Sequence, residues 1–132
     1  MKLYFALFTL LLFTVGCYPA YNIFIVNNTD AEIELETQPS IEKRIMIKQG
    51  VSYKKINSKK LNNQNDFEKG IYKLNPNDSI FLFGERGKLG NYLPFNSVKI
   101  NKEHDSLIIT NTNLVDNINN EKGSKYYIII KW

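Results

Sequence analysis

Asn22-Ile-Phe-Ile-Val-Asn-Asn-Thr-Asp-Ala-Glu-Ile-Glu-Leu-Glu-Thr37 carries the two hydrophobic patterns that decide the fold class. Over residues 31–37 the period is two. Ala31, Ile33, Leu35 and Thr37 share one face, and Glu32, Glu34 and Glu36 share the other. That is a strand with one buried and one wet, acidic face. Residues 22–26 behave differently: Ile23, Phe24, Ile25 and Val26 follow one another without a polar interruption. A short unbroken apolar run predicts a strand buried on both faces. Asn27-Asn28-Thr29-Asp30 separates the two with turn chemistry, so the pair reads as a hairpin.

The same signals recur along the chain. Strands are expected at residues 44–48, 51–56, 71–74, 79–83, 95–100, 107–109 and 126–132, with the last central in a sheet because it is apolar on both faces. Gln38-Pro39-Ser40, Gln49-Gly50, Asn75-Pro76-Asn77-Asp78 and residues 101–105 interrupt them with turn residues. Residues 57–70 are polar apart from Leu61 and Phe67, long for a connection, and could hold a short helix near residues 66–69. Ile, Phe and Tyr suit a pleated surface, whereas Ala, the best helix former, occurs after residue 17 only at Ala20 and Ala31. No helical period extends over ten residues beyond the leader. The fold class is therefore all-β: a small antiparallel β-sandwich of about eight strands, with a partly closed barrel as the alternative.

Ahead of this body stands a segment of another kind. Lys2 is followed by the uncharged apolar run of residues 3–15, then Gly16 and Cys17, the one cysteine of the chain. A helix of about 13 residues rises only about 20 Å against a hydrocarbon core of about 30 Å, which fits a signal-peptide core better than a membrane span. Thr14-Val15-Gly16-Cys17 resembles the lipobox of bacterial lipoproteins. The resemblance implies cleavage between Gly16 and Cys17, and acylation of Cys17. It departs from the family pattern in having Thr14 where Leu is preferred. An ordinary secretory signal, cut near Ala20, is the competing reading. Abundant Asn, Lys and Ile resemble the usage of Bacteroidetes. The organisation expected is a signal peptide at 1–16, a lipidated tether at 17–21 and one β-domain at 22–132.

The chain has 132 residues and a formal net charge of +4, with 17 basic and 13 acidic side chains interspersed. No basic block points to nucleic acid. A single cysteine excludes a disulfide framework within the chain. His104 is the only histidine and lies in a polar turn, so neither a zinc site nor a Ser-His-Asp triad is expected; no Gly-x-Ser-x-Gly elbow is present. Glu32, Glu34 and Glu36 read as a solvated strand face rather than a catalytic pair. Residues 75–85 offer oxygen ligands but not the order of a calcium loop. No catalytic residue, metal or cofactor is expected.

What remains is binding chemistry. Residues 84–94 carry Gly84, Gly87 and Gly90 with Arg86, Lys88, Leu89, Tyr92 and Leu93. They do not form a phosphate loop, because the Gly-Lys-Ser/Thr ending is missing. Aromatic and Arg side chains suit a partner-binding loop instead. Lys54, Lys55, Lys59 and Lys60 form a local basic patch suited to solvent or anionic headgroups. Asp78-Ser79-Ile80 and Asp105-Ser106-Leu107 resemble the sites that Bacteroidetes O-glycosylate, which makes Ser79 and Ser106 candidates for modification. The functional expectation is a non-catalytic binding or structural module of the cell envelope. It would be held to the bilayer through acylated Cys17, on the outer membrane facing the periplasm because no acidic residue follows the cysteine, with an envelope protein as partner. A periplasmic inhibitor or immunity-type lipoprotein is the alternative, and an enzyme acting on cell-wall polymers a remote one.

Overall fold

The computed structural model describes residues 20–45, 56 and 58–132, which form two four-stranded sheets packed face to face. In chain order the strands are β1 (Ala20–Asn27), β2 (Ile33–Gln38), β3 (Gly70–Leu74), β4 (Ser79–Arg86), β5 (Ser97–Lys102), β6 (Asp105–Ile109), β7 (Asn120–Lys122) and β8 (Lys125–Ile130). Among the described residues the short helices α1 (Ile41–Ile45) and α2 (Leu114–Asn117) lie in the connections. One sheet has the order β4-β1-β8-β7 and the other β3-β2-β5-β6. Neither closes on itself, so the fold is a sandwich and not a barrel. Pairing is antiparallel except between β1 and β8, which run parallel at the centre of the first sheet.

The alternation of residues 31–37 appears as drawn from the sequence. Ile33, Leu35 and Thr37 point inward and are buried, while Glu34 and Glu36 point outward. Opposite them, β3 supplies Leu74 and Tyr72, and β5 supplies Ile100 and Val98. From the first sheet Ile23, Ile25, Ile80, Leu82, Phe83, Ile128 and Ile130 complete the core. A β-bulge in the pairing of β4 with β1 lets two consecutive residues, Leu82 and Phe83, both reach the interior. The run Ile23–Val26 is buried on one face only. Ile23 and Ile25 are fully enclosed, whereas Phe24 and Val26 face out and are half-buried.

The expected hairpin of the first two strands is not formed, because β1 and β2 belong to different sheets. Residues 27–31 are a corner between the sheets, and Asn27 makes it so. Its buried amide donates to Ala31 O (2.8 Å) and to Leu74 O at the end of β3 (3.0 Å). Its Oδ1 accepts from the Thr29 hydroxyl (2.8 Å) and Thr29 N–H (3.1 Å). Its backbone bonds across to Asp78 O and Asn77 N–H, at the corner where β3 crosses to β4. A hairpin turn would leave this side chain in water; here one amide joins both crossings.

The strand expected at residues 44–48 begins instead as the end of α1, and residues 46–55 and 57 lie outside the described residues. Gln38-Pro39-Ser40 contains a helix start: Ser40 Oγ accepts from Lys43 N–H (3.3 Å), with Glu42 in the first turn and Arg44 in the last. Residues 66–69 form no helix. They belong to an ordered loop in which Asp66 Oδ1 accepts from the N–H groups of Glu68 and Lys69, and Asn62 bonds Lys69 O, Ile71 N–H and Asp66. β3, β4, β5, β6 and β8 lie where the apolar patterns placed strands, and β8 is central, between β1 and β7. β7 is a polar edge strand that no apolar pattern announced. Of the strand expected at residues 51–56 only Ile56 is described, and it is helical.

Asn27→Asp tests the corner. The substitution removes the amide donor and sets a carboxylate against two carbonyl oxygens, costing about 1–3 kcal/mol in a urea titration at pH 7. That repulsion raises the folded-state pKa of the new carboxyl above its unfolded value of about 3.9. The variant is therefore closest to the parent below pH 4 and loses stability as the pH rises.

Candidate functional site

Residues 87–96 cross from β4 to β5 over one end of the sandwich, and polar side chains fasten them. Leu93 N–H donates to Asn111 Oδ1 (2.6 Å), Val115 N–H to Asn91 Oδ1 (2.9 Å) and Asn96 N–H to Gln38 O (2.6 Å). Beneath, Leu93 and Phe95 are buried with Leu114, Leu89 packs against the core, and Phe95 meets Phe83 edge-on at 6.1 Å. Tyr21 continues this plug with edge contacts to Phe83 and Tyr126. The five residues singled out in the loop therefore divide. Leu89 and Leu93 turn inward to close the end of the core. Arg86, Lys88 and Tyr92 remain on the surface, with Tyr92 about half exposed at 52% and its hydroxyl 3.5 Å from Arg44 Nη2. Val115, held to the loop through Asn91, adds exposed apolar surface. The result is a fastened loop that presents one aromatic ring with the Arg44 guanidinium near it.

Of the basic patch, the two described lysines are both engaged within the domain. Lys54 and Lys55 lie outside the described residues. Lys59 is paired with Asp78 (3.2 Å) and donates to Ser79 O. Lys60 is buried: its ammonium lies 3.6 Å from Glu42 Oε2, donates to Asp66 O (2.6 Å) and Gln64 O (3.5 Å), and stands 5.9 Å from the Phe67 ring centroid. The loop of residues 61–67 replaces the water shell of the lysine with carbonyl oxygens and an aromatic face.

Glu42 is the other half of this cluster, and sequence reasoning missed it. It is fully buried on α1, and its Oε2 accepts the phenol proton of Tyr72. Ile41 N–H donates to the same phenol oxygen (2.8 Å). Glu42 Oε1 has no hydrogen-bond partner among the described residues. Burial, then the bond to Glu42 and its charge, hold the Tyr72 phenol far above the usual tyrosine range. Gly70 makes room for the ring, since a Cβ there would stand 2.2 Å from the Tyr72 hydroxyl. With both charged side chains sealed from solvent, the cluster fastens α1 and the 61–67 loop to the edge of β3. A helix of five residues carries no periodic signal, so nothing in the sequence marks Glu42 out.

The other singled-out residues are dispersed. Gly16 and Cys17 lie outside the described residues. His104 is exposed in the turn from β5 to β6. Glu32 pairs with Lys73, and Glu36 with Lys69 (3.0 Å), so two of the three acids of this face are held in ion pairs. Ser79 and Ser106 are both exposed, at the start of β4 and in β6. Among the described residues no three His, Cys, Asp or Glu side chains gather as a metal site would require. No protein-family model, curated protein or solved structure matches the chain.

Lys60→Met strands the Glu42 carboxylate and lowers stability by about 3–5 kcal/mol. Adding Glu42→Leu to that variant recovers most of the loss, and a double-mutant cycle in urea measures the coupling. Because the folded-state pKa of Tyr72 is raised, its contribution is complete below the unfolded value of about 10 and declines as the pH climbs beyond it. Tyr72→Phe is less stable than the parent at pH 8, and its stability falls less steeply between pH 9 and pH 11.

Proposed function

We propose that this chain is a lipid-anchored protein of the bacterial envelope, whose β-sandwich serves as a non-catalytic binding or structural module. The observation that carries the reading is the leader: a short apolar run ending in Gly16-Cys17, three residues ahead of the first residue of β1. The domain is thereby tied close to the surface in which its acyl chains are buried, on the outer membrane facing the periplasm. Two or more chains hold firmly where one would not.

The fastened 87–96 loop supports binding as the task of the domain. Tyr92 is the natural contact, with the Arg44 guanidinium beside it and Lys88 and Arg86 exposed on the same stretch of chain, because a held aromatic ring loses little entropy on association. The partner is an envelope protein. A periplasmic inhibitor is the second reading, favoured by the same feature, since a rigid loop with one protruding ring suits the cleft of an enzyme. Neither reading uses a cofactor, and the buried Glu42–Lys60–Tyr72 cluster has no part in either.

Two measurements test this. The amino-terminal peptide of protein taken from bacterial membranes carries diacylglycerol on Cys17; a peptide starting near Ala20 without lipid sinks the anchor. In-cell crosslinking then recovers one dominant envelope protein, and Tyr92→Ala lowers its yield about tenfold or more, the effect of losing a central aromatic contact. An unchanged yield removes the loop from the interface. A tight one-to-one complex with a hydrolase favours the inhibitor.

A further inference from the structure

The outer faces of the two sheets are unlike. On the β3-β2-β5-β6 sheet, acids and bases alternate: Glu34 and Glu36 on β2 stand opposite Lys73 on β3 and Lys99 on β5. On the β4-β1-β8-β7 sheet, cross-strand register gathers Phe24, Phe81 and Tyr127 into one row and Val26 with Ile129 into the next. Phe24 meets Phe81 edge-on and stacks on Tyr127, each at 5.6 Å between ring centroids. All five side chains are half-buried; Phe81 also packs against the core between the sheets, while Phe24, Tyr127, Val26 and Ile129 are outside it.

The rim of this apolar face is basic. The next rows toward the start of β1 place Lys125 and Lys122 beside Asn22, and Arg86 beside Ala20. Lys131 follows Ile129 at the other end. The strand residues of these outward rows include no carboxylate. Glu85 and Glu121 stand in register with Tyr21 and Tyr126, one position off, in rows turned toward the core. An apolar centre with a basic rim and no acid in its strand rows matches a bilayer surface of anionic phospholipid. The mixed charges of the other face do not.

The length of the tether favours the same face. Cys17 stands three positions before Ala20, a reach of at most about 11 Å. Ala20 begins β1, whose outward side chains form the middle of the patch. We propose that the outer face of the β4-β1-β8-β7 sheet lies against an anionic phospholipid surface, with Phe24, Phe81, Tyr127, Val26 and Ile129 at the headgroup boundary and Arg86, Lys122 and Lys125 on lipid phosphates. The proposal rests in part on the anchored reading, and it moves Arg86 from the partner loop to the membrane rim. Tyr92 and Lys88 remain for the partner, and the charged outer face of the other sheet turns to the periplasm.

Amine footprinting of the membrane-purified protein tests this. Acetylation of lysines is read by mass spectrometry on vesicles containing phosphatidylglycerol and on vesicles of phosphatidylcholine alone. Lys122 and Lys125 react about fivefold or more slowly on the anionic vesicles, while Lys99 changes less than about twofold. Arg86→Glu with Lys125→Glu, both exposed and outside the core, removes the protection at Lys122 without lowering stability. Equal slowing at Lys99 and Lys122, or no slowing at either, overturns the proposal. The amino-terminal mass separates this outcome from failure of the anchor. Should Cys17 carry no lipid, the same protein is floated with both vesicle types: retention by phosphatidylglycerol alone supports the face, and equal behaviour with the two overturns it.

Discussion

The bond from the Tyr72 phenol to the Glu42 carboxylate ties together parts of the chain that lie far apart in sequence. Tyr72 sits on β3 with its ring in the core, Glu42 on a helix of five residues, and Lys60 in the loop that bridges the edge of β3 at Tyr72. The helix is far too short to be stable on its propensity alone. The loop has few apolar residues to bury. Each is held because the charge it contributes needs the other, and the phenol, with Ile41 N–H behind it, fixes the geometry. An apolar replacement of similar volume would serve stability as well or better. What it would not do is specify where the helix and loop sit, and the ionic version does that with three side chains.

Around that latch, the sheets follow from local rules. Asn27 turns the chain between sheets, Ser40 starts α1, and the bulge in β4 sends Leu82 and Phe83 to the same side. At one end of the sandwich Phe83, Phe95, Leu93 and Leu114 close the core, so the loop above them is shaped by burial rather than by a ligand. The edge strand β6 is blunted similarly: the Asn113 amide donates to Ile108 O (3.0 Å), occupying a carbonyl that an added strand could use.

The sequence made the sandwich legible wherever a period was long enough to read. Ile33, Leu35, Val98, Ile100, Ile128 and Ile130 are all inward, as alternation requires. It misled at residues 27–30, because turn composition is the same whether the chain folds back in one sheet or crosses to the other; only the burial of Asn27 distinguishes them. It concealed Lys60 and Glu42, since charged residues on a short helix and in a polar loop carry no pattern, and their burial depends on partners distant in the chain. In the 84–94 stretch the residue types were right for an interface, but an apolar side chain in a loop serves a core plug equally well, and Leu89 and Leu93 do so.

The unbroken run Ile23–Val26 brings these points together. Such a run implies burial on both faces, yet in the isolated domain only Ile23 and Ile25 are enclosed. Phe24 and Val26 look outward among Phe81, Tyr127 and Ile129, on a face without acids. In a domain free in water, such a cluster is a solubility cost, since large apolar patches favour association. Tethered by Cys17, it would instead have an apolar medium within reach at all times. Under the proposed anchor, the excess of apolar residues in β1 over what the sandwich encloses would mark a second surface to be covered, and a bilayer would be the covering that both the short tether and the basic rim favour.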